Sequence, residues 1–371
     1  MKVAVFGGSG FLGYDFVRAA LAADGIVPVV YSSSAKSLSN VARHELDIRL
    51  YPSHEPERVS LEIDIDLLVN FAHPFERRGG ISGQAQVEGF ARFVARARER
   101  NPRLRLIHIS SMSVYEPFAP AHLFDEDAAV KPPRADRYAR EKVRAEQALR
   151  ALPDAARWQL HLRPTVVYGP YCGVWTDRLF EAFGSGNVAY ASLDGRIQPI
   201  AGADVSRFLL ARLRDFRPGV YNMPGPETLR WSDFLEVFRA IVDRGRLVRD
   251  PRGAKPESGL AFYAGNLREL MHIVRREPAF DRIAASIARH LPAQGVEFMK
   301  RLLLGRGERA PRAAAGALNR DYLRGFFGED RLVSGARIAA DFPDFAPRPL
   351  ADFTAELARY HRYRYSDDSL V

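Results

Sequence analysis

Two segments of this sequence hold the residue types that proton-coupled alcohol and ketone chemistry needs. Ile109-Ser110-Ser111-Met112-Ser113-Val114-Tyr115 supplies serine hydroxyls, and Tyr138-Ala139-Arg140-Glu141-Lys142 supplies a phenol and an ammonium. Tyr138 and Lys142 stand four residues apart in an Ala/Glu/Arg-rich run from Asp136 to Leu152 that reads as a helix. That spacing puts both on one face, a turn apart. A free tyrosine has a pKa of about 10, and an ammonium close by favours the phenolate and is expected to lower it. The phenol could then exchange a proton near neutral pH.

Tyr-x-x-x-Lys alone is a common surface pair on helices; what opens the chain gives it weight. Lys2-Val3-Ala4-Val5-Phe6 reads as a short apolar strand, Gly7-Gly8-Ser9-Gly10-Phe11-Leu12-Gly13 follows, and a helical run extends from Tyr14 to Ala23. Strand, glycine turn and helix in that order are the context of a dinucleotide fingerprint. Gly7 suits the tight turn, Gly10 the approach of a pyrophosphate, and Gly13 close helix–strand packing. The N–H groups at the helix start would face the phosphates.

With its G-x-x-G-x-x-G spacing, and with Ser111, Tyr138 and Lys142, the chain resembles the extended short-chain dehydrogenase/reductase family, the sugar-nucleotide epimerase/dehydratase group. Asp66-Leu67-Leu68-Val69-Asn70-Phe71-Ala72 resembles its fourth strand, Leu162-Arg163-Pro164-Thr165-Val166-Val167-Tyr168-Gly169-Pro170 its Arg-Pro-x-x-Val-Tyr-Gly-Pro signature, and Gly219–Gly225 a late strand and turn. The likeness covers residues 1–242 and resumes around 333–360. It implies an α/β, Rossmann-type doubly wound parallel sheet with a smaller, mostly helical C-terminal substrate lobe. The implied catalytic set is Ser111, four residues before Tyr115, with Tyr138 as general acid and base and Lys142 as its cationic neighbour on the nicotinamide ribose. Gly7, Gly10, Phe11, Leu12, Gly13, Phe71, Ala72, Tyr138, Lys142 and Pro164 are the implied cofactor contacts. Ser113, His73 and Arg196 are the expected substrate contacts, Arg196 lying near where the family places a diphosphate-binding arginine. Two departures stand out: Glu116 replaces the usual glycine, and Gln86 stands where asparagine is usual. The 4,6-dehydratase branch carries an Asp-Glu pair where Met112-Ser113 stand, so dehydration is not expected.

The choice between NAD and NADP turns on Val29 to Lys36, where an acid would grip the NAD ribose. No acid is present, and Ser32, Ser33 and Lys36 could hold a 2′-phosphate, a slight lean to NADP. The leading reading is an NAD(P)-dependent epimerase-type oxidoreductase acting on a sugar nucleotide or related glycosylated carrier. An NADPH-dependent ketoreductase of a keto-sugar or small carbonyl compound runs close. A non-catalytic dinucleotide-binding sensor or scaffold would not need Tyr138 as a proton donor.

At 371 residues, 47% hydrophobic and 27% charged, the chain has the balance of a globular protein with a full core. Cys172 is the only cysteine, so an intramolecular disulfide and a multi-cysteine metal site are excluded. No apolar run approaches the roughly 18 residues of a membrane span, and no signal peptide is apparent; a cytoplasmic location is expected, with peripheral membrane contact as an alternative. The net charge is +9, and residues 244–331 hold 18 Lys/Arg against 10 Asp/Glu, nearly the whole excess. Zinc-finger spacings and aromatic RNA-binding signatures are missing, so no nucleic-acid partner and no metal are expected.

Apolar runs alternate with helical ones across residues 1–165, the expected dinucleotide-binding domain: Val3–Phe6, Val27–Tyr31, Asp47–Leu50, Leu67–Ala72, Leu104–Ser110 and Gln159–Arg163 as strands, Gly83–Arg100 as a helix. Residues 166–371 form the expected substrate lobe, with 197–225 returning to the sheet. Ser232 is the expected N-cap of a helix over Asp233–Val242. Residues 245–330 read as a basic helical insertion over 267–274, 280–290 and 296–304, a cap or dimer contact in preference to a lipid-facing surface. A homodimer is the oligomer the family suggests.

Overall fold

The structure is a computed structural model that describes residues 1–32, 47–50, 59–61, 64–73, 83–115, 118, 122–130, 132, 136–190, 192–249 and 327–365. The apolar runs become one sheet of seven strands: β1 (Lys2–Phe6), β2 (Val27–Ser32), β3 (Asp47–Leu50), β4 (Ile65–Asn70), β5 (Arg105–Ile109), β6 (Gln159–Pro164) and β7 (Gly219–Met223). Their order is β7-β6-β5-β4-β1-β2-β3, and every pairing is parallel. Parallel neighbours need crossovers; among the described residues helices supply those from β1 to β2, β4 to β5, β5 to β6 and β6 to β7, and the strands are apolar on each side. Val3 to Phe6 and Leu67 to Val69 are fully buried.

The helices are α1 (Phe11–Leu21), α2 (Gly83–Arg100), α3 (Arg137–Arg150), α4 (Arg178–Gly184), α5 (Gly202–Arg214), α6 (Trp231–Val242), α7 (Ala336–Asp341) and α8 (Thr354–Tyr365). α1 packs with α5, and α2 with α3. Asp136 starts α3 by accepting from the Ala139 N–H at 2.9 Å. The strand order reverses between β1 and β4, which opens a crevice at their carboxyl ends, the usual binding edge of such sheets.

A second core gathers beyond the sheet around Phe180, Phe183, Trp231, Phe234, Phe238 and Tyr360. Here α6 begins at Trp231, and Ser232 is inside the helix instead of capping it. The reason is burial: Trp231 is fully enclosed, and its N–H donates to the Gly195 carbonyl at 3.1 Å, which replaces a side-chain cap. The returning segment divides, with Ile200–Ala201 pairing beside Val167–Tyr168, α5 following, and Gly219–Met223 closing the sheet. Leu332–Val333 pairs with Leu123–Phe124, and α8 packs on α6. The expected helices 267–274, 280–290 and 296–304 lie outside the described residues. Among those described, no helix is long and apolar enough to cross a membrane.

Candidate active site

The glycine turn sits at the carboxyl end of β1, against the end of β4. Gly7 has φ +76°, and a Cβ there would stand 2.7 Å from the Ala72 nitrogen. A Cβ on Gly13 would overlap the Gly7 carbonyl oxygen. The turn and the first turn of α1 are therefore packed as tightly as backbone allows. Gly10 is the N-cap of α1; no side chain caps that end, and no acid lies in its first turn. Such a terminus suits a phosphate, with free N–H dipoles and no competing charge. The ring of Phe11 lies against Gly169 and Gly202, and Leu12 also reaches Gly202. What these two can offer a cofactor is thus backbone N–H.

The other expected cofactor contacts divide. The Phe71 N–H donates to the Phe6 carbonyl, and its ring packs on Phe16 with centroids 5.6 Å apart. The Ala72 N–H donates to Asn70 Oδ1 at 3.0 Å, so Asn70 shapes the end of β4. Pro164 ends β6 and is buried, as is Ser32 at the end of β2. Ser33 and Lys36 lie outside the described residues.

Ser111, Tyr138 and Lys142 come together across the ends of β5 and α3. Ser111 lies one residue past the Ser110 that follows β5, and its Oγ accepts the Ser113 N–H at 3.2 Å, which starts the short turn Met112–Tyr115. The Ser111 hydroxyl also hydrogen-bonds the Tyr138 phenol, and lies 3.3 Å from Ser113 Oγ. The Tyr138 ring is half open to the crevice while its hydroxyl is set among protein atoms. Burial pushes that phenol up from its ordinary pKa; the Ser111 hydrogen bond opposes the rise and Asp136 adds to it. This corrects the expected lowering by Lys142. The ammonium stands 5.8 Å from the Tyr138 ring centroid and donates to the Ile109 carbonyl at 2.9 Å. Lys142 itself is buried, and desolvation brings its pKa down to about 8, against the pull of Glu146 and Glu141.

His73 follows β4 and lies on Tyr138, the two ring centroids 5.0 Å apart. Its Nε2 is 3.1 Å from Glu141 Oε2. Burial, then the Lys142 and Arg137 cations, lower its pKa to about 3, so the ring is neutral. Arg196, expected to hold a diphosphate, is instead engaged by Asp330, through Nε at 3.2 Å and Nη2 at 2.6 Å. That pairing joins positions 134 residues apart, which no local pattern signals.

Two buried clusters escaped the sequence reading. Glu146, two turns beyond Tyr138 on α3, takes Arg163 in a fork, with Nε–Oε1 at 2.9 Å and Nη2–Oε2 at 2.5 Å. Arg163 Nη1 donates to the Tyr115 hydroxyl at 2.6 Å, and that hydroxyl donates to Asn222 Oδ1 at 2.8 Å. His108 and His161 lie face to edge on adjacent strands, centroids 5.5 Å apart, held by Asn70 and Gln159. The i, i+4 step from Lys142 to Glu146 was the one available signal for any of them.

Residues 3–195 match the model of the NAD dependent epimerase/dehydratase family. No curated protein matches the chain. Among solved structures, the chain is similar to a dTDP-glucose 4,6-dehydratase from Streptomyces venezuelae with NAD bound, at 15% identity and TM-score 0.62, covering 98% of each chain. The Bordetella bronchiseptica enzyme WbmG in complex with NAD is 14% identical at TM-score 0.62, over 98% of this chain and 94% of that one. A UDP-glucuronic acid 4-epimerase from Bacillus cereus, also with NAD, is 18% identical at TM-score 0.54, over 67% and 87%. At these identities the likeness is one of fold.

Proposed function

Because the chain belongs to the NAD-dependent epimerase/dehydratase family, we propose that it is an NAD(P)-dependent epimerase-type oxidoreductase. Its substrate is a secondary alcohol or ketone of a sugar nucleotide or a related glycosylated carrier. One observation carries this reading: Ser111, Tyr138 and Lys142 converge beside the glycine turn, at the carboxyl edge of the sheet. Two of the structurally similar enzymes, the dTDP-glucose 4,6-dehydratase and the UDP-glucuronic acid 4-epimerase, are named for sugar nucleotides, which supports the substrate class.

A nicotinamide cofactor, when bound, supplies the hydride acceptor and donor. The backbone of Gly7 to Gly13 and the first turn of α1 would hold its pyrophosphate. Phe71, Ala72 and Pro164 would border the cofactor, and Tyr138 and Lys142 would hold its nicotinamide ribose. Tyr138 takes the hydroxyl proton as the alcohol is oxidised and returns it as the ketone is reduced. Ser111 donates to the substrate oxygen as charge develops there. Ser113 and His73 border the substrate. Met112-Ser113 carry no carboxylate for eliminating water, which supports hydride transfer without dehydration.

A second reading, an NADPH-dependent ketoreductase, gains from two features. Burial keeps the Tyr138 phenol protonated, the form that donates to a ketone. Val29 to Lys36 offers no acid for the NAD ribose, leaving Ser32, Ser33 and Lys36 for a 2′-phosphate. Residues 1–165 act as the dinucleotide-binding domain and 166–371 as the substrate lobe, in a cytoplasmic enzyme. Mass spectrometry and absorbance of the cofactor released from purified protein separate the readings. Retained NAD supports epimerisation, an empty site that takes up NADPH supports reduction, and a protein that binds neither overturns both.

A further inference from the structure

One buried carboxylate ties together three elements beside the catalytic tyrosine. Glu141 on α3 is 3% exposed. Arg137 Nε donates to its Oε1 at 2.8 Å, and His73 Nε2 lies 3.1 Å from its Oε2. The first residue of α2, Gly83, is so close that a Cβ there would stand 2.7 Å from Oε1. Because a carboxylate only accepts, the contact is the His73 Nε2–H donating to Glu141. That bond fixes the tautomer and the ring orientation. A carboxylate lying against the start of an 18-residue helix is also favoured by the helix dipole. The His73 ring then rests on Tyr138. Glu141 therefore joins the loop after β4 and the start of α2 to the helix that carries Tyr138 and Lys142.

We propose that Glu141 is the positioning residue for the nicotinamide half of the cofactor cleft. It sets the separation between Ala72–His73 at the end of β4 and the Tyr138–Lys142 face of α3, across which the nicotinamide ribose is gripped. The inference rests on the cofactor reading above. Glu141 acts through His73 and α3, so its influence stops at one end of the cofactor. The adenine half lies with the glycine turn and β2, to which Glu141 makes no contact. Loss of the carboxylate therefore weakens one half of the dinucleotide and spares the other.

Calorimetric titration of purified full-length protein with NAD⁺ and with ADP tests this, alongside melting temperatures. NADP⁺ and 2′,5′-ADP replace them should the wild type prefer the phosphorylated form. Glu141→Ala raises the Kd for NAD⁺ about tenfold or more, while the Kd for ADP moves less than about twofold. Glu141→Gln, which keeps an acceptor for Arg137, recovers most of the loss. Gly83→Ala drives a methyl into the tethered carboxylate and shows the same one-sided loss. Combined with Glu141→Ala it adds nothing, because both changes act through one group. Equal weakening of NAD⁺ and ADP, unchanged NAD⁺ affinity, or additive losses would overturn the proposal. If Glu141→Ala does not fold, Gly83→Ala and Glu141→Gln decide it by the same ratio. A wild type that binds neither NAD⁺ nor ADP overturns the cofactor reading and this inference together; a wild type that binds both, with the ratio unmoved in the variants, overturns this inference alone.

Discussion

Glu141 and Glu146 are five residues apart on α3, and each is only 3% exposed, yet they belong to different regimes. Glu146 is closed off in the core, forked by Arg163, which in turn reaches Tyr115 and through it Asn222. Every partner in that chain is buried. Glu141 faces the crevice; its cation, Arg137, is about half exposed, and its other partner is a neutral imidazole beside Tyr138. The helix thus carries one carboxylate enclosed together with its cation and another whose cation is half open to solvent. Functional groups are commonly found where such perturbed, half-open environments occur.

Substitutions in the two settings should separate turnover from stability. The largest effect expected is at the crevice: Tyr138→Phe should cut turnover by about 10² to 10⁴, with ADP affinity by calorimetry unchanged. A fully active variant would remove Tyr138 from the mechanism. At the enclosed pair, Glu146→Ala leaves the Arg163 guanidinium buried without its fork, and a loss of about 3–5 kcal/mol is expected in urea unfolding. A loss no larger than that of Glu141→Ala would erase the distinction between the two carboxylates.

Acid should act on the closed region as well. His161 is buried beside His108, with its folded pKa brought to about 4 by desolvation, against an ordinary value of 6.5. His108 is pushed down in the same direction. Below pH 6.5 the unfolded chain binds protons that the folded one refuses, so stability is fully present above about pH 6.5 and falls as pH drops towards 4. The His161 share is about 3 kcal/mol when that interval is crossed. Unfolding curves across this range read it directly, and His161→Gln should flatten the slope. Smaller still, Asp136→Ala removes the N-cap of α3 and should cost about 1 kcal/mol. Arg196→Ala breaks only an exposed pair with Asp330, and its melting curve should overlay the wild type.

What the chain discloses by itself is what local pattern encodes. The alternating apolar runs named six of the seven sheet strands in place, and the seventh, Gly219–Met223, falls within the 197–225 stretch expected to return to the sheet. The helix Gly83–Arg100 was legible, because its apolar period is a local signal. The glycine turn was legible for the same reason. Long-range partners were not: Arg163 finds Glu146 17 positions away, and Tyr115 finds Asn222 107 away. The behaviour of Tyr138 also escaped, because helical spacing places Lys142 on the same face without saying which carbonyl its ammonium will choose. It chose Ile109, and burial then decided the direction of the tyrosine's shift. Ser232 had the right residue type for a cap, but the enclosed Trp231 moved the helix start past it.

The aromatic cluster of the second lobe has a consequence for biosynthesis. The last strand of the large sheet ends at Met223, so that sheet can close once this point has left the ribosome. Trp231, Phe234 and Phe238 emerge next, but Phe327, whose ring stands 4.7 Å from that of Trp231, and Tyr360 come about a hundred residues later. For that interval the cluster can pack on Phe180 of α4 but lacks its C-terminal cover, and partly uncovered aromatic surface of this kind is what chaperones recognise and what drives aggregation. A product truncated near residue 326 should therefore retain its sheet by circular dichroism yet be recovered mainly in the insoluble fraction.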